Sequence, residues 1–173
     1  MLSETAAKSS YRAFWFHGTS YRIYRQVFPA DEFGSTKFFS ERLAIYELGR
    51  FLEIGSGAGV TVAHLVKTGA AKKAVAVDIN RHAVNNTQIN VQRAGVANKV
   101  DVHESDIFKA VTGKFDTIYW NSPFINSSYA GTSGRLLEHA LFDPGFLAHK
   151  RFFKHVFSHL KPGGQIFIGR AHV

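Results

Sequence analysis

The sequence predicts a doubly wound α/β domain with a mostly parallel sheet and a β-hairpin ahead of it. Three observations carry that prediction. From residue 50 onward, short apolar runs alternate with longer amphipathic stretches. The short runs are β-branched or aromatic and are bounded by turn residues, as buried strands are. The first of them ends in three alternate glycines, Gly55, Gly57 and Gly59, with a helical stretch directly after. Strands that alternate with helices need crossovers, and crossovers make parallel sheets.

The elements follow in order. Tyr11 to His17 and Tyr21 to Phe28 alternate aromatic, Arg and Ile residues around Gly18-Thr19-Ser20, which predicts two strands of a half-exposed hairpin. Pro29 to Thr36 reads as a loop, and a helix is expected near Ser40–Leu48. Arg50–Ile54, Ala74–Asp78, Val100–His103, Thr117–Trp120 and Gln165–Ile168 are the predicted sheet strands. Asn80 is a good N-cap for a helix carrying Val84, Thr87 and Val91, which Gly95 should stop. A last helix is expected over Phe146 to Leu160, with Phe146, Phe153, Val156, Phe157 and Leu160 on one face. Lys161-Pro162-Gly163-Gly164 should end it. Two parts result, an N-terminal hairpin and helix over residues 1–49 and a ligand-binding α/β domain over residues 50–173.

Composition narrows the functional classes. The chain has 173 residues, 45% of them hydrophobic and 20% charged, in the range of an ordinary folded domain. No apolar run approaches the roughly 18 residues a membrane span needs. The opening residues lack the basic and apolar regions of a secretory signal, so a cytoplasmic location is the default expectation. Cysteine is absent, which excludes disulfides and thiolate metal sites. The net charge is +8, and the last third, with Arg135, Lys150, Arg151, Lys154, Lys161 and Arg170, is the most basic. That excess suits a polyanion such as RNA, or equally a solvated helix face.

The glycine run Glu53-Ile54-Gly55-Ser56-Gly57-Ala58-Gly59-Val60 is the strongest chemical signal. Glycines at a strand–helix junction let the chain turn sharply and let a ligand lie against bare backbone. A dinucleotide fingerprint would place its third glycine at position 60, which here is Val, so NAD and FAD are disfavoured. Glu53 just before the glycines suits a cationic, amino-acid-bearing ligand better than a diphosphate. The next strand ends in Asp78, placed to accept hydrogen bonds from ribose hydroxyls. A third strand runs into Glu104-Ser105-Asp106-Ile107, which brings Asp106 to the same sheet edge.

With these residues the stretch from Phe51 to Ile168 resembles the class I S-adenosylmethionine-dependent methyltransferases. The resemblance implies a Rossmann-like fold with S-adenosylmethionine as cofactor. It implies that Glu53, Gly55, Ser56, Gly57 and Gly59 cradle the methionine part and that Asp78 binds the ribose. It further implies that Asp106 binds adenine, with Ile79 and Ile107 flanking the ring. The fourth strand then runs into Asn121-Ser122-Pro123-Phe124, which resembles the N-P-P-[FY] signature of amino-methyltransferases acting on adenine, on RNA guanine and on release-factor glutamine. A planar nitrogen needs acceptors for its N–H bonds as it attacks. Asn121 offers a side-chain oxygen and Ser122 its carbonyl, while Phe124 can stack on a flat group and Pro123 holds Ser122 extended. Ser122 departs from the signature, which has proline there.

The hairpin and the Val27-Phe28-Pro29 segment loosely resemble the stretch preceding the core in the small-domain group of that family. The expected activity is N-methylation of a protein glutamine amide or an RNA base amine. The alternative is a module that binds the cofactor with little or no turnover. The family's sheet normally continues past the fifth strand, whereas this sequence stops at Val173. An exposed sheet edge available for self-association is therefore expected. Ile125 to Asp143 reads as a long polar segment that contacts substrate. Arginines interleaved with aromatics in the hairpin could stack on bases, or simply pack one face on the core. His155 and His159 have metal-ligand spacing but lack the Glu of H-E-x-x-H, and no metal is expected.

Overall fold

The computed structural model describes residues 10–127 and 140–170. β1 (Tyr11–Phe16) and β2 (Thr19–Tyr24) form an antiparallel ribbon. His17 and Gly18 turn it, both at positive φ (43° and 71°), the backbone of a tight hairpin turn whose twist matches the strands. The hairpin is shifted from its expected bounds, because the turn takes only two residues and β2 starts at Thr19. Residues 25–28 leave the ribbon and turn toward α1 (Gly34–Leu43).

α1 also corrects the sequence expectation of a helix at Ser40–Leu48. It starts six residues earlier, at an N-cap, Phe33, that makes no side-chain capping bond and so leaves no readable start signal. Ser40 lies inside the helix, bonding back to the Thr36 carbonyl at 2.6 Å and across to Thr61 at 3.0 Å. Ile45 and Tyr46 beyond the helix are exposed.

Five parallel strands make the sheet: β3 (Gly49–Ile54), β4 (Ala71–Asp78), β5 (Val100–Glu104), β6 (Phe115–Ser122) and β7 (Leu160–Arg170). Their order is β5-β4-β3-β6-β7. The chain lays down β3, β4 and β5 in one direction and then returns past β3 to add β6 and β7. Side chains alternate across the sheet with period two. Phe51, Ala74, Ala76 and Tyr119 face a core shared with the hairpin, α1, α2 (Val60–Lys67) and α3 (Arg81–Arg93). Leu52, Ile54, Val75, Val77, Ile118 and Trp120 face the opposite core, closed by Phe108 and α4 (Leu147–His155). This is the doubly wound, parallel α/β architecture that the sequence predicts, with helices on both faces of the sheet and with β7 and β5 as its edges among the described residues.

α3 begins as expected. Asn80 caps it by accepting from the His82 N–H at 2.9 Å, and Gly95 (φ 76°) follows its end. Its Asn86 and Asn90 side chains substitute for a neighbouring strand by bonding the backbone of β2. Asn90 Oδ1 accepts from the Arg22 N–H at 2.8 Å and Asn86 Nδ2 donates to the Arg22 carbonyl at 2.7 Å. The hairpin edge is thereby paired on the α3 side.

α4 corrects a second expectation. The α-helix ends at His155 and tightens into a 3-10 turn over Val156–His159. Its buried face is Phe152 and Val156, four residues apart, with Ala148 packed against the same core. Phe146, Phe153 and Phe157 are exposed, so the five-residue face expected from the sequence does not form. Lys161-Pro162-Gly163-Gly164 does not separate helix from strand either. It lies within β7 as a bulge, where Gly163 takes φ 75° and the register slips between Phe115 and Thr117. Lys161 fastens the bulge to Asp116 at 2.9 Å. Most of the polar segment expected to contact substrate, residues 128–139, lies outside the described residues.

Candidate active site

In an open parallel sheet, ligands bind beyond the carboxyl ends of the strands where the strand order reverses. Here that point lies between β3 and β6, and a cavity of about 330 Å³ opens there. The cavity is lined by Glu53, Gly55, Ser56, Gly57, Asp78, Ile79, Asp106, Ile107, Asn121, Ser122 and Pro123. Eleven positions singled out in the sequence from four strand ends therefore converge on one space. Gly59 and Phe124 are not in its lining.

The floor is the glycine loop. Gly55, Gly57 and Gly59 all take positive φ, and a Cβ built on Gly57 would meet nothing within 4 Å, which leaves its Cα side open. Gly59 plays another part, since a Cβ there would sit 2.7 Å from the Thr87 side chain, so its bareness lets α2 and α3 close on each other. The loop's carbonyls are held by α3. Thr87 Oγ1 donates to the Gly57 carbonyl at 3.1 Å, and Asn90 Nδ2 donates to the Ala58 carbonyl at 2.8 Å. Ser56 Oγ lies 3.0 Å from Thr87 Oγ1. In the sequence Thr87 reads only as part of the periodic face of a helix, and nothing local marks it as a loop support.

Two carboxylates flank the loop. Glu53 is 4% exposed and accepts from the Val62 N–H at 3.0 Å. Burial pushes its carboxyl up to about 8 and Asp78 adds to the rise, against the lowering hydrogen bonds from Val62 and Thr61. Asp78 accepts from the Gly57 N–H at 2.9 Å and the Asn80 N–H at 2.8 Å. Burial raises its carboxyl, with those backbone bonds working the other way. Asp106 is more open and pairs with Arg151 on α4 at 3.2 Å. Ile107 beside it is buried at φ 53°, a backbone uncommon for a β-branched residue, in a turn held by Ser105 Oγ donating to its carbonyl. Ile79 is exposed on the cavity's other side.

At the end of β6, Trp120 packs under the loop and Asn121 follows. The Asn121 side-chain oxygen is buried beside Gly169, without a hydrogen-bond partner among the described residues. Ser122 is buried, its hydroxyl between the Gly169 carbonyl at 3.3 Å and the His149 ring at 3.1 Å. Phe124 lies outside the cavity, with the Arg170 guanidinium 5.4 Å above its ring. The His155–His159 pair binds its own helix end, with His159 stacked on Phe108 at 4.6 Å.

A family model described as the methyltransferase small domain matches residues 23–172. A Methanocaldococcus jannaschii protein named, provisionally, for protein N5-glutamine methylation is 38% identical over 120 residues, covering 68% of this chain and 59% of that protein. The release factor glutamine methyltransferase of Cereibacter sphaeroides is 27% identical over 164 residues, 91% of this chain and 58% of that one. The chain thus spans under two thirds of the length of either relative. The fold superposes on a T. thermophilus 16S rRNA N2 methyltransferase, solved with AdoMet and guanosine, at a TM-score of 0.67 and 21% identity. That match covers 92% of this chain and 41% of the other. The glycine loop, the acidic strand ends and the Asn121 turn stand within the matched span, and the chain belongs to the methyltransferase small domain family.

Proposed function

We propose that the chain binds S-adenosylmethionine in the cavity between β3 and β6 and methylates a planar nitrogen of a macromolecule, with a glutamine side-chain amide as the first reading. The residues fit the cofactor. Gly57 offers open backbone, Asp78 a carboxylate for ribose hydroxyls, Ile79 and Ile107 apolar walls for adenine, and Glu53 a buried acid beside the loop. Asp106 reaches the adenine edge once it gives up Arg151. Gly55, Ser56 and Gly59 complete the loop, Gly59 by packing. When bound, S-adenosylmethionine supplies an electrophilic methyl group on a sulfonium.

The chain's own residues align the acceptor. The observation that carries the reading is Asn121, which lines the cavity's end and whose side-chain oxygen, packed beside Gly169, has no hydrogen-bond partner among the described residues. Buried acceptors are almost always satisfied, so this oxygen, once the side chain turns to the cavity, is suited to take an N–H of the incoming amide. Such a bond holds the nitrogen for in-line attack, and alignment is most of what methyl transfer asks of a protein. The Ser122 carbonyl is the second acceptor and Pro123 keeps it extended. Phe124 would stack on the acceptor from outside the cavity.

An RNA base amine is the second reading, supported by the hairpin. Trp15 is 71% exposed and Tyr11 carries the Arg22 guanidinium 4.4 Å above its ring. Exposed aromatics beside arginines suit base stacking.

Calorimetric titration of S-adenosylmethionine, with Asp78→Ala as control, tests the cofactor. Methyl transfer from labelled S-adenosylmethionine is then measured on unmethylated release factor and on an unmodified 16S ribosomal RNA transcript, in wild type and Asn121→Ala. Transfer lost in Asn121→Ala with cofactor affinity kept supports the reading. A folded wild type that binds no cofactor, or binds it equally well without Asp78, overturns it.

A further inference from the structure

Ser122 stands where the resembled signature has its first proline, and the structure gives that serine two partners in line. His149 Nε2 lies 3.1 Å from Ser122 Oγ, and His149 Nδ1 lies 2.6 Å from Asp143 Oδ2. Asp143 is 3% exposed and also accepts the backbone N–H groups of Ala148 at 2.8 Å and His149 at 3.0 Å. It thereby caps the first turn of α4 and fixes the imidazole at the same time. Burial alone would raise the Asp143 carboxyl, but the His149 and backbone hydrogen bonds outweigh it and hold the group below the usual carboxylate range. Trp120 packs on the imidazole at 4.8 Å, and the Phe146 ring meets it edge-on at 5.7 Å.

An Asp–His–Ser line invites a hydrolytic reading, which the next residue opposes. Pro123 has no N–H to offer an oxyanion, and the Ser122 hydroxyl is buried. A positioning role fits both facts. Resting on the reading of Asn121 given above, we propose that His149, oriented by Asp143, braces Ser122 through its hydroxyl. The brace does by hydrogen bonding what a proline ring does by covalent restraint, and holds the Asn121–Pro123 backbone at the acceptor end of the cavity.

Proline fixes φ, whereas serine leaves it free. A largely buried hydrogen-bond chain in which both ring nitrogens of His149 are paired can restore the lost order, because such networks rigidify what they connect. The brace also ties the acceptor turn to the start of α4, so these two segments move as one. Asp143 and His149 are positioning residues acting through Ser122.

The test is a double-mutant cycle over His149→Ala and Ser122→Pro, using the labelled transfer assay on whichever of release factor or 16S transcript accepts methyl. In the Ser122 background, His149→Ala should lower kcat about 10- to 100-fold, the scale of a misplaced reacting group. S-adenosylmethionine affinity by calorimetry should stay within about twofold, since the hydrogen bonds at Asp78 and the glycine loop are untouched. In the Ser122→Pro background the same substitution should change kcat by less than about twofold, because the ring has replaced the brace. Equal losses in both backgrounds overturn the proposal.

Nitrogen NMR of the His149 ring gives a readout free of turnover. Ser122→Ala should move the Nε2 resonance and leave Nδ1 in place, and an unmoved Nε2 overturns the brace even if neither acceptor is methylated. Full turnover in Asn121→Ala would instead overturn the underlying reading.

Discussion

The Glu53 carboxyl group caps the Val62 N–H at 3.0 Å, across nine residues of sequence. α2 opens on Gly59, which has no side chain to cap with, and no acidic residue lies in its first turn. Glu53 supplies the missing acceptor from the end of β3, with Thr61 lowering its carboxyl through a second side-chain bond. One side chain therefore finishes a helix and lines the cavity, and its buried acid is pushed up to about 8.

That acid makes cofactor binding pH-dependent. At pH 7 Glu53 is mostly protonated in the free protein, and a cationic ligand nearby favours the carboxylate, so binding should release a proton. Affinity for S-adenosylmethionine is expected to rise from pH 6 to pH 8, by at most about tenfold per pH unit. Glu53→Gln keeps an acceptor for Val62 but cannot ionise, and its affinity should be flat over that range. Calorimetry in two buffers of different ionisation enthalpy reads the proton directly. A wild type that releases none sinks the idea.

Two glycines of one loop should fail differently when given a methyl group. Gly57→Ala meets open space and carries only backbone strain at φ 56°, about 1 kcal/mol. It should leave the melting temperature nearly in place and weaken cofactor binding. Gly59→Ala would put Cβ 2.8 Å from the Thr87 Cα as well as 2.7 Å from its side chain, so α2 and α3 must separate. It should cost roughly 2–3 kcal/mol of stability. Thermal melts paired with calorimetry separate the two, and a Gly59→Ala protein as stable as Gly57→Ala would contradict the packing role.

What the sequence disclosed was local. The glycine loop, Asp78, Asp106 and the Asn121 turn each sit at the end of a strand with its own hydrophobic run, and one sheet gathers all strand ends on the same edge. The Asn80 cap needed only its neighbours. What stayed hidden depended on distant partners. α1 begins without a capping side chain, so Gly34 carries no signal. The α4 face differs from the expected one because Phe152, not its neighbour Phe153, turns to the core, and the 3-10 turn from Val156 leaves Phe157 exposed. The Asp143–His149–Ser122 line joins the end of β6 to α4 and the segment before it, and no periodicity connects them.

Arg151 competes for Asp106. The pair is half exposed on both sides, so it adds little to stability. Arg151→Ala should shift the melting temperature negligibly. If Asp106 must turn to the adenine edge, losing its competitor should tighten S-adenosylmethionine binding, up to about fivefold for an exposed pair of this kind. Weaker binding in Arg151→Ala would show that the arginine itself holds the ligand.

His64 should make the fold less stable as the pH falls. It lies in α2 at 4% exposure, 4.8 Å from the rings of both Phe16 and His17. Burial, then the neighbouring His17, lowers its pKa to about 4, with Lys67 adding to the fall and Glu41 opposing it. In the unfolded chain the imidazole titrates near 6.5. Between those values the unfolded state binds the proton and the folded state does not, so stability falls as pH falls. The contribution is complete above about pH 6.5, and from there to pH 5 roughly 2 kcal/mol should be lost. For a chain of this length that is roughly 4–8 °C in melting temperature. His64→Phe stays neutral and apolar against Phe16. Its melting temperature relative to wild type should therefore climb by that amount between pH 7.5 and pH 5. A constant gap between the two proteins across that range would mean that the folded state accepts the His64 proton without opening the core.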